Sequence, residues 1–231
     1  MRKNACFITI FSIFFFQLSC SQEMQIPPET HPDVSSWDDL FKSDLSNAVF
    51  AEGVWTNTDE VLTASEDQVI WTQRTYNNFV LDLEFKNEEG TNSGVIVYCN
   101  DRDNWIPNSV EIQIADDFAE KWATSPKTWQ CGAIFGHLAA KKSMVKQPGE
   151  WNRMTITCKD NMVYVMLNGE LVTEMDMKLW TSATTNPDGS EIPPWLSTPF
   201  SKLPTDGYIG FQGKHADASI YFRNIRIKEI E

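Results

Sequence analysis

MTITCKDNMVYVMLNGELVTE, residues 154–174, decides the fold. Met154, Ile156 and Cys158 alternate with Thr155 and Thr157, the period of a strand with one buried face. Met162 to Leu167 and Leu171 to Glu174 flank Asn168-Gly169. A two-residue hairpin turn needs positive φ at both positions, and Asn-Gly takes it at little cost. Working outward, Phe79, Leu81, Leu83 and Phe85 alternate with Asp82 and Glu84, and Val110, Ile112 and Ile114 alternate with Glu111 and Gln113. Val95 to Tyr98 and Tyr208 to Gln212 read as further strands. Ile220 and Phe222 share one phase and Ile225 and Ile227 the other, so a β-bulge is expected near Arg223-Asn224. Only Asp116 to Trp122 reads as helix, and no fixed-period repeat is present. Many short strands with scarcely a helix predict an all-β sandwich or barrel.

The strand 109–114 (SVEIQI) carries the chemistry. Side chains two apart share a face, so Ser109, Glu111 and Gln113 oppose Val110, Ile112 and Ile114. The apolar face packs inward, and the polar face is expected to line a ligand groove, with Asp116, Asp117, Trp105 and Trp122 nearby. A retaining glycosidase needs two carboxylates about 5 Å apart. The partner of Glu111 on its strand is Gln113, which cannot be a nucleophile, and Asp116 lies past the strand's end. Glu111 is therefore expected to act alone as a general base or acid. His137 and His215 lie beside glycines at strand ends, where an imidazole suits acid–base work. Two His and one Glu could also hold a metal, but no short-range ligand spacing supports one. Lys141, Lys142 and Lys146 are candidates to neutralise one edge of a cleft, and Lys214 adjoins His215. Trp105, Trp180 and Trp195 lie in loops, where an indole can stack on a sugar ring. The segment 180–207 holds five Pro and two Trp and is long for a structureless connection, which marks it as functional.

The net charge of −13 argues against nucleic acid and anionic polysaccharides, while neutral sugars and proteins remain open. Nine tryptophans in 231 residues call for a large core or a binding surface. Arg2 and Lys3 precede the apolar run Cys6 to Phe16, and Leu18-Ser19-Cys20 follows. That pattern reads as a lipoprotein signal over residues 1–19, with Cys20 lipidated and residues 20–35 a polar, Pro-rich flexible tether. A lipid-anchored location in the periplasm or on the outer membrane surface is expected, with the membrane touched only through that anchor. The domain then spans residues 36–231, as a monomer or weak oligomer. Cys99, Cys131 and Cys158 match no zinc spacing and read as small buried hydrophobes. GxSxG, HExxH, a phosphate-cradling glycine loop and an EF-hand loop are all absent, and no metal or cofactor is expected.

NSGVIVY (92–98), NSVEIQIADD (108–117), CGAIFGH (131–137), PGEWN (148–152), LNGELV (167–172) and DGYIGFQGKHADASIYFRNIRIKEI (206–230) occur in an order that resembles the 3-keto-disaccharide hydrolase family, over roughly residues 36–231. The resemblance implies a concanavalin A-like jelly-roll β-sandwich of two antiparallel sheets, acting on glycosides already oxidised to a ketone at C3. It matches Glu111 and Gln113 to the family's Glu-x-Gln strand, and Gln212 and His215 to its closing Gln and His. Tyr98 departs from it, standing where many members carry Arg, and a phenol does not replace a bidentate cation. A C3 ketone acidifies the C2 hydrogen, so a base can remove it and the C1–oxygen bond then breaks by elimination. The expected roles are Glu111 or His215 as base, with His137, Lys214 or Tyr98 near the developing oxyanion; Trp105, Gln113, Asp116, Lys146 and Gln212 are expected around the substrate. Three classes of function stay open: a lyase or hydrolase on 3-keto sugars, a non-catalytic carbohydrate-binding module, and a protein-interaction module.

Overall fold

The computed structural model describes residues 25–215 and 217–231, so the expected signal and Cys20 lie outside the described residues. The strands in chain order are β1 (Asp38–Asp39), β2 (Ala48–Val49), β3 (Trp55–Thr58), β4 (Val61–Ala64), β5 (Ile70–Thr72), β6 (Phe79–Asn87), β7 (Asn92–Cys99), β8 (Val110–Ala115), β9 (Trp151–Lys159), β10 (Met162–Leu167), β11 (Glu170–Asp176), β12 (Tyr208–Phe211) and β13 (Ile220–Glu229). They form two antiparallel sheets. The larger has the order β11-β10-β9-β6-β13-β4-β3, with β1 also on β13, and the smaller has the order β2-β5-β12-β7-β8. The expected helix shrinks to one turn, α1 (Glu120–Ala123), and none of the described helices is long and apolar enough to cross a membrane.

The alternating side chains supply the core. Phe79, Leu81, Leu83 and Phe85 of β6 and Met154, Ile156 and Cys158 of β9 pack in one cluster with Val95, Val97, Ile112, Ile114 and Phe211 of the smaller sheet. The three cysteines are buried and free. The Asn168-Gly169 turn has φ of 50° and 90° and joins β10 to β11 as expected. The bulge also lies where the phase slips: the β13–β6 register shifts between Arg223 and Arg226, and Asn224 has φ 51°.

The segment expected as a loose tether is packed where it is described. A directional chain of hydrogen bonds fixes it to the outer face of the larger sheet. Gly169 N–H donates to Nε2 of His31 at 2.8 Å, and Nδ1 of His31 lies 2.7 Å from Oγ1 of Thr155. Thr155 in turn donates to Oδ2 of Asp82 at 2.5 Å, and Arg153 donates from Nε to Asp82 and from Nη2 to the Pro32 carbonyl. His31 accepts at Nε2 and so must donate from Nδ1, which is the neutral ring. Burial and the nearby Arg153 lower its pKa to about 4, in keeping with that state.

The long segment 180–207 is likewise a folded lobe. Trp180 donates from its indole to Asn186 at 2.9 Å, Asn186 donates to the Gly136 carbonyl at 3.2 Å, and Ile192, Leu196, Phe200 and Leu203 are buried under it. Residues 132–135 cover the free edge of β8: Gly132 donates to the Gln113 carbonyl at 2.9 Å and Phe135 to that of Glu111 at 2.9 Å.

Candidate active site

The outer face of the smaller sheet is the floor of a cleft of about 830 Å³, a size suited to a small-molecule ligand. One row of paired residues crosses that floor from β5 to β8: Trp71, Gly210, Ile96 and Glu111. Phe135 extends the row past the edge, through its bond to the Glu111 carbonyl. Two glycines leave room for the functional groups. A Cβ on Gly210 would stand 2.5 Å from the Trp71 indole, and a Cβ on Gly94 would stand 2.3 Å from Oε1 of Glu111. The bare strand is therefore what lets the Glu111 carboxyl lie flat on the floor.

Glu111 is half-buried, and its carboxyl has no hydrogen-bond partner among the described residues. Desolvation and then the negative charge of Asp67 push its pKa up to about 8. Opposite it, Nδ1 of His215 lies 2.6 Å from Oδ2 of Asp67, and Gln212 reaches Oδ1 of Asp67 at 3.4 Å. Gln113 donates to Oδ1 of Asn92 at 2.6 Å. Arg102 stacks 4.3 Å above the Tyr208 ring, and its buried Nη1 has no partner among the described residues. Lys121 adds a second cation at the rim.

Aromatic walls flank the carboxyl. Trp71 and Trp105 meet edge-to-face at 6.4 Å on one side. Trp129 meets Trp195 at 6.4 Å and Phe135 at 5.5 Å on the other. With strands about 4.8 Å apart, Trp71 is three spacings from Glu111 in the row and Phe135 one. Trp195 is 49% exposed, so its indole is open to a ligand.

Of the residues singled out in the sequence, Glu111, Gln113, Gln212, His215 and Trp105 line this cleft, as do Trp122 and Trp195. The others do not, each for a physical reason. Tyr98 has φ 56°, which turns its ring out of the strand's alternation and into the core, 6.2 Å edge-to-face from Phe79. Burial drives its hydroxyl's pKa far up, so Tyr98 is no partner for substrate or oxyanion. His137 is 4% exposed, stacks 3.9 Å from Phe200 and bonds the Phe135 carbonyl at 2.8 Å. Desolvation lowers its pKa to about 4, and it is a neutral packing residue. His137 is outside the cleft lining, so the two-His, one-Glu metal set is not assembled among the described residues. Asp116 is 1% exposed and caps a turn, accepting from Gly90 N and Phe118 N. Lys146 donates to the Trp151 carbonyl at 2.8 Å, while Lys141 and Lys142 pair with Glu174 and Glu170 on the surface. Lys214 is outside the lining, although its backbone N–H bonds the Glu66 carbonyl at 2.9 Å. Ser109 is tied to the Trp105 carbonyl, and Trp180 is buried in the lobe.

Sequence reasoning missed Asp67, Asn92, Arg102, Trp71, Trp129 and Phe135. Asp67 and Arg102 sit in aperiodic polar loops that carry no signal of what they face. Asn92 is legible in hindsight, because it opens the strand whose Gly94 is left bare.

Comparison with curated proteins returns no match. Among solved structures, a candidate glycosyl hydrolase of Parabacteroides distasonis is 57% identical, with a TM-score of 0.82 over 84% of this chain and 99% of that one. A second candidate glycosyl hydrolase of the same organism, 22% identical, aligns with a TM-score of 0.66 over 81% of this chain and 90% of its own. A carbohydrate-binding module of Bacillus subtilis, 12% identical, shares the fold at a TM-score of 0.50 over 82% and 99%. The jelly-roll expectation is therefore met. Residues 33–228 match the 3-keto-alpha-glucoside-1,2-lyase-like domain, so the chain belongs to that family and its function is tied to carbohydrate.

Proposed function

We propose that the protein is an enzyme that cleaves the glycosidic bond of 3-keto-glycosides by elimination, with net hydrolysis where water then adds. The observation that carries this reading is the pairing, on one cleft floor, of a carboxyl whose pKa lies near 8 with an imidazole held by a second carboxylate. Elimination needs one group to take the C2 proton and another to give a proton to the departing oxygen. A carboxyl raised toward neutral pH and an imidazole oriented by a carboxylate suit these two tasks. The C2–H bond breaks, its electrons form the C1=C2 double bond, the C1–O bond breaks and the leaving oxygen takes a proton. No carboxylate nucleophile is required, which fits a strand carrying Glu111 and Gln113 rather than two acids. Arg102 and Asn92 stand at the cleft as donors for the ketone oxygen or the sugar hydroxyls. Cys20 as a lipid attachment point, at the periplasmic or outer face, belongs to the same proposal.

The test is to incubate the purified domain with a chromogenic 3-keto-glucoside and with its unoxidised parent. Release from the ketone alone, with enone absorbance, supports the reading; release from the parent, or from neither, overturns it. The tryptophan-lined walls favour a second reading, a carbohydrate-binding module. Sugar binding by calorimetry without turnover would select it.

A further inference from the structure

We propose that Asp67 is a positioning residue that divides the two proton transfers, making His215 the base that takes the C2 proton and Glu111 the acid that protonates the leaving oxygen. This rests on the elimination reading above.

The argument begins with the backbone. A Cβ on Gly213 would stand 2.3 Å from the Glu66 carbonyl oxygen and 2.6 Å from that of Gln68. Glycine at 213 is what allows the chain after β12 to close against the 66–68 loop. Lys214 N–H then bonds the Glu66 carbonyl, and His215 pairs with Asn92 at the start of β7. Asp67 and His215 are thus brought together by main-chain contacts on both sides, and their 2.6 Å bond is a built feature of the cleft.

That bond fixes the ring. An ionised carboxylate only accepts, so Nδ1 of His215 carries the hydrogen, and in the neutral ring the lone pair is left on Nε2. The same carboxylate acts on Glu111 through space: its charge adds to desolvation in favouring the protonated carboxyl. The other charged groups lining the cleft are Asp103, Arg102 and Lys121. With Glu111 carrying a proton and His215 carrying a lone pair, the bookkeeping closes. The C2 proton passes to Nε2, the C1–O electrons leave with the aglycone, and the Glu111 proton joins that oxygen. His215 ends protonated and Glu111 ionised, and one proton exchange between them restores the start.

The test uses two 3-keto-glucosides, one with a 4-nitrophenol leaving group that needs no acid and one with a methanol leaving group that does. Glu111→Gln is expected to keep most activity on the nitrophenyl substrate and to lose about 10²-fold or more on the methyl one. His215→Asn is expected to lose activity on both. Asp67→Asn is expected to lower kcat on both substrates by about 10-fold or more with little change in KM, since the pair is partly exposed, and to move the alkaline limb of the methyl-substrate profile to lower pH. Asp67→Glu should recover part of the loss. Thermal melts of each variant exclude unfolding, and ¹⁵N chemical shifts of His215 report the Nδ1–H form without substrate. Equal loss by Glu111→Gln on both substrates would make Glu111 the base and overturn the assignment. So would an Asp67→Asn variant with an unchanged pH profile. Wild-type protein inactive on both substrates would instead sink the elimination reading itself.

Discussion

A Cβ on Gly94 would stand 2.3 Å from Oε1 of Glu111. These residues lie on neighbouring strands, β7 and β8, two residues apart in register, since Gly94 pairs with Gln113 and Ile96 with Glu111. The Asn-Ser-Gly that opens β7 is therefore part of the site, because its missing side chain is the space the carboxyl occupies.

Gly94→Ala is expected to displace the Glu111 carboxyl from the floor and to lower kcat/KM on the methyl 3-keto-glucoside by about 10²-fold, while far-UV circular dichroism stays that of the wild type. Activity within twofold of wild type would show that the carboxyl position does not matter.

Glu111 gives a pH signature in stability. Its pKa rises from 4.5 to about 8 on folding, so the folded protein holds this proton more tightly than the unfolded chain. The stabilising contribution is complete below pH 4.5 and is lost as pH rises through 8. Glu111→Gln imitates the protonated group and escapes that loss. The variant's Tm should exceed that of wild type at pH 9 and approach it at pH 4.5. A Tm difference independent of pH would contradict the burial argument.

The His31 latch has the opposite sign. Its folded pKa, about 4, is below the ordinary 6.5, so its contribution is present above 6.5 and is lost as pH falls through 4. Protonation adds a hydrogen to Nε2, which already faces the Gly169 N–H. The protection of the Gly169 amide, its exchange rate taken relative to the intrinsic rate at the same pH, should fall on acidification over that window. His31→Ala, which leaves the Gly169 N–H and Oγ1 of Thr155 short of a partner, should cost about 1–3 kcal/mol in urea unfolding at pH 7.

Trp195, nearly half exposed, contributes little to the core. Trp195→Ala is expected to change stability by no more than about 0.5 kcal/mol. The same variant should weaken sugar binding about threefold to tenfold, the scale of one aromatic contact. Calorimetry with the ketone substrate in the His215→Asn background measures this directly.

Much of the fold was legible in the sequence, because period-two alternation and turn chemistry act over a few residues. Met154, Ile156 and Cys158 had to share a face, Asn168-Gly169 had to turn, and the phase slip before Ile225 had to be a bulge. The same local rule placed Glu111 and Gln113 together on the polar face of β8. It failed at Tyr98, where a single positive φ reverses the alternation, a torsion that its side chain does not announce.

The tertiary structure alone decided which residues meet. Asp67 touches His215 across 148 positions of chain, and His31 reaches Thr155 across 124. His137 and His215 look alike in sequence, each two or fewer residues from a glycine. Packing against Phe200 buries the first as a neutral ring, and the closure at Gly213 sets the second against a carboxylate. Where the strand stays extended, local pattern sets the face on which a side chain emerges, because that follows from backbone period. The charge, exposure and partner of that side chain depend on segments brought up from elsewhere, and these determine which groups can do chemistry.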